Sequence, residues 1–267
     1  MGQGTEILNI TLIGAGNLAT NLGLALKGAG HNIVCVYSRT EQSACTLAQR
    51  LGCPWTNQVD EAGRYASLSD VAILSVKDSA LPLIAQQMPQ ASDTLFLHTA
   101  GSMPLSTLPM PHSGVFYPMQ TFSRDREADF SIVPTFLEVL DDTDHLRLEN
   151  LALSVTREVH WLSSEQRKSL HLAAVFTCNF SNYCYDVASQ LLEKEGLPFS
   201  VMLPLIGETT AKLQQFTPFE AQTGPAVRYD TNVIQRHLDM LASQPAHQHL
   251  YEEMSQLIHT RHELRSE

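Results

Sequence analysis

Gly14-Ala15-Gly16-Asn17-Leu18-Ala19 and Tyr37-Ser38-Arg39-Thr40 are the stretches of this 267-residue chain whose residue types and spacing point most directly to chemistry. The first spells G-x-G-x-x-A. Gly14 permits a tight turn, Gly16 leaves no Cβ where a pyrophosphate would approach the backbone, and Ala19 lets a helix pack close to a sheet. The N–H groups that open this helix, at Asn17 and Leu18, and its positive dipole end would face phosphate. The second stretch stands where enzymes using NAD commonly place an acid to hold the ribose diol. Here Arg39 lies between two hydroxyls, Ser38 and Thr40. That combination suits a 2′-phosphate, which an acid would repel. The expected cofactor is NADP(H).

Two later segments should flank the same ligand, because ligands bind outside the carboxyl ends of parallel strands. They are Ser75-Val76-Lys77-Asp78 and His98-Thr99-Ala100-Gly101-Ser102. The second is more polar than a buried turn requires, which makes His98, Gly101 and Ser102 candidate substrate contacts. Asp78 and Ser102 read equally as helix caps. Further on, Lys168, His171, Asn179, Asn182 and Asp186 share an arc of roughly 80° on a helix that advances about 100° per residue. A polar stripe on a helix otherwise rich in Leu, Ala, Val and Phe suggests a cleft lining, the alternative being a solvated face. Lys168 and Asn179 would stand about 16 Å apart, so they cannot serve one reacting atom. Lys168 and His171, one turn apart, form the best unit for proton transfer, with Asn179 as a substrate or cofactor contact. In the Pro/Gly segment 216–225 and its continuation to Asp230, Arg228 is more than a turn needs and could hold a carboxylate.

These residues need a scaffold. Residues 7–13 form a β-rich run before the glycine turn, and Leu18, Leu22, Ala25 and Ala29 then share one helical face. Short apolar runs at 33–37, 71–76, 94–98, 114–117 and 135–139 read as buried strands, with helical patterns at 41–51 and 79–88. Strands alternating with helices predict a doubly wound α/β domain around a parallel sheet. Residues 158–162 are the last strand candidate. Ser163 and Gln166 then form a capping box that opens a helix running to about Lys194. Helical patterns continue through 201–215 and 231–262, with Asp230 or Thr231 capping the last. The boundary is expected near residue 160, between a Rossmann domain (1–160) and an all-α domain (161–267).

Composition excludes several classes. Seventeen Lys and Arg against 28 Asp and Glu give a net charge of −11, which argues against nucleic acid. No apolar run approaches the roughly 18 residues of a membrane span. The start, MGQGTEILNI, lacks the basic n-region of a signal peptide. Five cysteines, an odd count without C-x-x-C, read as reduced thiols in a cytoplasmic protein. The pairs His247/His249 and His259/His262 have metal-compatible spacing but no matching Cys or carboxylate cluster, so no metal site is expected.

The order of motifs resembles the β-hydroxyacid dehydrogenase and pyrroline-carboxylate reductase superfamily. GAGNLA and YSRT look like its NADP site, and HTAGS sits where those enzymes carry a substrate loop. GVFYPMQTF (114–122) is similar to the His-Pro-Met segment of prephenate dehydrogenases, with Tyr117 in place of the His. Lys168-Ser-Leu-His171 resembles the K-x-x-H-N motif of 6-phosphogluconate dehydrogenases, where the Lys is the acid/base, but Leu172 replaces the Asn. Lys168–Asn179 and Thr223–Pro225 carry the pattern of a bacterial family of NADP oxidoreductases of unassigned substrate, which pairs a Rossmann-like domain with a helical one. That resemblance implies a homodimer through the C-terminal helices. The expectation is hydride transfer between nicotinamide and a small carbonyl or imine, with Lys168 or His171 exchanging the proton. The alternative is an NADP(H)-binding sensor without turnover.

Overall fold

The computed structural model describes residues 6–90 and 93–265; residues 1–5, on which the reading of the amino-terminal start partly rests, lie outside the described residues. The short β-branched runs become strands β1 (Asn9–Ile13), β2 (Asn32–Tyr37), β3 (Trp55–Thr56), β4 (Val71–Leu74), β5 (Leu95–His98), β6 (Ser113–Pro118), β7 (Thr135–Val139) and β8 (Val159–Trp161). They form one sheet in the order β3-β2-β1-β4-β5-β6-β7-β8. Alternate side chains point to opposite faces. Ile10, Leu12, Ile73 and Leu97 therefore enter one core with Leu22, Leu26, Leu47, Leu51, Leu148 and Leu151. Ile13, Ala72, Leu74 and Phe96 enter the other with Ala62, Ala66, Leu81 and Ala85. Helices α1 (Asn17–Gly28), α2 (Glu41–Leu51) and α5 (His145–Leu153) thus cover one face, and α3 (Val59–Ser67) and α4 (Leu81–Gln86) the other.

The sheet departs from the all-parallel expectation at one place. β7 runs antiparallel to β6, and β8 runs parallel to β7, so the sheet is mixed. The intervening loop, 119–134, explains the reversal. Asn17 and Asn21 of α1 donate side-chain hydrogen bonds to the carbonyls of Phe122 and Ser123, both at 2.9 Å. The loop is held at the carboxyl edge of the strands, and β7 must start from that edge and run back.

Chain contacts define two compact units, the first ending at Asn179 and the second beginning at Phe180. Helix α6 (Ser164–Ala174) belongs to the first and opens with the Ser163–Gln166 capping box. Its buried Arg167 pairs with Glu138 of β7 and donates to the Met103 carbonyl at 2.6 Å. The reading of one uninterrupted helix to about Lys194 needs correction, because residues Val175–Phe180 form a π turn. The Thr177 hydroxyl lies 3.2 Å from the Ala173 carbonyl and 3.3 Å from that of Ala174, competing with the α-helical ladder there. The extra residue in a π turn breaks the 100° arithmetic of the stripe, and Asn182 and Asp186 fall in the second unit.

The second unit contains α7 (Ser181–Lys194), α8 (Leu203–Lys212), α9 (Thr231–Met240) and α10 (Pro245–Glu263). Asp230 caps α9 by accepting from Val233 N–H at 3.2 Å. The run 231–262 is split where Pro245, which lacks an N–H, opens α10. Tyr229 stacks on His259 and Phe219 on His262, fastening the Pro/Gly segment to α10. Helices α7, α8 and α9 bury no residue, while Leu203, Leu205, Leu213, Met240 and Leu257 are exposed.

Candidate functional site

The glycine turn is built by three adjacent strand ends, those of β2, β1 and β4. Gly14 has φ +127°, and a Cβ there would lie 2.1 Å from the Ser75 carbonyl oxygen. Its N–H donates to the Tyr37 carbonyl at 2.8 Å, while Ser75 N–H donates to Ile13 at 2.8 Å. Gly16 caps α1 without any side-chain hydrogen bond, the first turn of the helix has no acid, and a Cβ at Gly16 would meet nothing within 4 Å. Open space at an uncapped helix start is what a phosphate group requires.

A cavity of about 560 Å³ extends from this turn. Among the expected cofactor residues, Gly14, Gly16, Ser38, Arg39, Thr40, Ser75, Val76 and Lys77 line it. Asn17 and Leu18 do not line it with their side chains: Asn17 binds the Phe122 carbonyl, and Leu18 packs against the core. Only their backbone can face the cavity, as the helix-start argument requires. Sequence reasoning missed Arg124, whose Nη2 donates to the Ala15 carbonyl at 2.8 Å while its side chain lines the same cavity. The lining holds three cations, Arg39, Lys77 and Arg124, and no carboxylate, in a chain of net charge −11.

A second cluster forms where β5 ends. The His98 side chain is fully buried, with Nδ1 accepting from Ala100 N–H at 3.2 Å. Burial, reinforced by the Arg167 charge and partly opposed by the Pro104 backbone and Asp78, holds its pKa down at about 4. His98 Nε2 has no hydrogen-bond partner among the described residues. Further along the same loop, Gly101 makes room for two side chains. A Cβ at that position would lie 2.7 Å from His171 Nδ1 and 2.9 Å from Tyr117 Cζ. The Tyr117 hydroxyl lies 3.2 Å from His171 Nδ1. Burial raises the Tyr117 pKa, against the opposing pull of Arg167. Ser102 Oγ hydrogen-bonds Asp78, and Thr99 Oγ1 donates to Ser75 Oγ at 3.2 Å, which links the two strand-end segments.

The structure thus brings His98, Gly101, Ser102 and His171 together and adds Tyr117. Lys168, one turn before His171, instead forms an exposed ion pair with Glu165 at 2.7 Å. Asn179 is exposed at the end of the first unit, and Arg228 is exposed in the second. The signal for Tyr117 was present in the sequence as the residue occupying the His position of a resembling motif. Its partner, 54 positions away, was not readable as such.

An N-terminal mixed α/β Rossmann-like domain with a glycine turn at the first strand end, followed by an all-α region, defines a member of the Rossmann-fold NAD(P)-binding oxidoreductase superfamily. Residues 9–100 match a family model described as NADP oxidoreductase coenzyme F420-dependent, and residues 133–258 match a domain of unknown function, DUF2520. The crystal structure of "putative NADP oxidoreductase BF3122 from Bacteroides fragilis" is 49% identical, with TM-score 0.87, over 95% of this chain and 98% of that one. The chain belongs to the same family as that Bacteroides protein, which pairs a Rossmann-like domain with a helical C-terminal domain. Two more distant structures share the fold. Protein TM1727 from Thermotoga maritima is 19% identical, with TM-score 0.70, over 97% of this chain and 100% of that one. An imine reductase of Streptomyces aurantiacus is 15% identical, with TM-score 0.65, over 94% of this chain and 95% of that one. No curated protein matches the chain. Among the described residues, no helix is long and apolar enough to cross a membrane.

Proposed function

We propose that this chain binds NADP(H) in the glycine-turn cavity and transfers hydride between the nicotinamide and a small carbonyl or imine. The observation that carries the reading is a cavity with three cations and no carboxylate, opening on an uncapped helix start at a residue without a Cβ. The dinucleotide supplies the hydride chemistry when bound. Backbone N–H groups at Gly16, Asn17 and Leu18 hold its pyrophosphate, while Ser38, Arg39 and Thr40 hold the 2′-phosphate. Ser75, Val76 and Lys77 close the cavity at the neighbouring strand end.

Of the two proton-exchange candidates, His171 is favoured over Lys168, which is engaged by Glu165. In this reading the Tyr117 hydroxyl, 3.2 Å from His171 Nδ1, is the donor of their hydrogen bond. That bond fixes the tautomer with the proton on Nε2, the nitrogen that exchanges it with substrate. Gly101 and Ser102 form the substrate-facing loop, and the buried His98 supports that loop by accepting from Ala100 N–H. Asn179 and Arg228 are further substrate contacts, Arg228 for a carboxylate. The functional division stays near residue 160, just before the sheet ends at Trp161: residues 1–160 hold the dinucleotide, and 161–267 serve substrate and dimerisation. A homodimer through the C-terminal helices is supported by α7, α8 and α9, which bury nothing within one chain. Five free thiols fit a reducing, cytoplasmic setting.

Titration calorimetry tests the cofactor reading. NADPH should bind at least about tenfold more tightly than NADH, about 1.4 kcal/mol, and Arg39→Asp should abolish the preference. Equal affinities in the unsubstituted protein overturn it. Turnover is tested by NADPH oxidation against keto acids, cyclic imines and an oxidised deazaflavin of the F420 type. Tight cofactor binding without turnover on any of them would favour the sensor reading.

A further inference from the structure

The loop 119–134 is more than a connection. Asn17 Nδ2 and Asn21 Nδ2 hold its Phe122 and Ser123 carbonyls, and Asn21 Oδ1 accepts from Ala128 N–H at 2.9 Å. On its outer side Arg50 pairs with Glu127 at 2.8 Å and reaches the Arg124 carbonyl at 3.4 Å. The backbone on both sides of residue 124 is therefore tied down, and the side chain between these ties extends to the Ala15 carbonyl inside the glycine turn. No carboxylate forms an ion pair with Arg124 among the described residues. A guanidinium has five donors in a fixed plane. One is used on Ala15, which sets that plane beside the turn and leaves others for a ligand in the cavity that Arg124 lines.

We infer that loop 119–134 is a preformed strap whose Arg124 binds the pyrophosphate of the dinucleotide, separately from Arg39 and its 2′-phosphate. This rests on the proposed dinucleotide reading. The division of labour follows from position. Ala15 lies between the two glycines over which a pyrophosphate sits, whereas Arg39 lies beyond the end of β2. Because α1 already fixes the strap, little conformational freedom is lost when the ligand arrives.

Titrations of NADPH and NADH into the full-length protein and its Arg124→Gln and Arg124→Lys variants, with melting temperatures of the ligand-free proteins, test the inference. Arg124→Gln keeps a side-chain donor and removes the charge. It should weaken both cofactors by the same factor, about tenfold to a hundredfold, with an unchanged melting temperature. Arg124→Lys should recover most of the loss. Unaltered binding by Arg124→Gln overturns the inference, and so does a lysine variant as weak as the glutamine one. A loss confined to NADPH overturns it as well, since Arg124 would then serve the 2′-phosphate. A fall in melting temperature that accounts for the lost affinity would make Arg124 a structural strut instead. If the unsubstituted protein binds neither cofactor, the dinucleotide reading itself fails, an outcome distinct from all of these.

Discussion

His171 Nδ1 stands 3.2 Å from the Tyr117 hydroxyl, and the two side chains meet beside Gly101, whose missing Cβ leaves them space. If this pair moves the proton, His171→Ala should lower kcat by about a hundredfold or more, the usual contribution of a positioned acid or base. Tyr117→Phe should cost less and displace the pH profile, because the ring loses the donor that sets its tautomer. Neither change should alter the Kd for NADPH. A Lys168→Met variant falling further than His171→Ala would return the role to the lysine.

Gly14 and Gly16 make opposite demands, and calorimetry with thermal melts separates them. Gly14→Ala combines a left-handed φ with a clash against the Ser75 carbonyl, so it should destabilise the apoprotein by a few kcal/mol. Gly16→Ala fills open space and should leave the melting temperature within about 2 °C. Its added methyl would stand where the pyrophosphate approaches, and NADPH affinity should fall at least about tenfold. A Gly16→Ala protein that binds normally would show that no phosphate sits there.

His98 should make the protein acid-sensitive. Its folded pKa of about 4 lies below the ordinary 6.5, so the unfolded chain binds this proton first as pH falls. The stabilisation is fully present above pH 6.5 and is lost as the pH falls from 6.5 toward 4. A shift of this size is worth about 3 kcal/mol. Denaturant melts should show a steeper loss across that window than a His98→Asn variant shows, whatever the latter's stability at pH 7. Parallel slopes would count against it.

The helical region should depend on protein concentration. With α7, α8 and α9 burying nothing within one chain, sedimentation should find a dimer, and Leu205→Asp should dissociate it and lower the melting temperature. A stable, monodisperse monomer at micromolar concentration would contradict this.

How much of this was readable from residues alone depended on how narrowly each position constrains its occupant. The glycine turn was readable because a φ of +127° beside a carbonyl admits only glycine. The capping box was readable because its two partners are three residues apart. Strand direction was not, since alternating burial looks the same in a parallel and an antiparallel strand, and β7 reverses on account of loop contacts to α1. Nor was the π turn, which follows from a local contest between a threonine hydroxyl and the helix backbone. Arg124 was invisible for a plainer reason: it meets Ala15 across 109 positions, from a polar loop that looks like any other.

If the proposed dinucleotide binds at the bare amino end of α1, the protein's durability follows the coenzyme supply around it. An anion that settles there at a hundred times its Kd adds about 2.7 kcal/mol to the folded state, so the same molecule should survive heating in a crude extract better than after dialysis. Its thermal tolerance would then serve as a gauge of the nicotinamide pool.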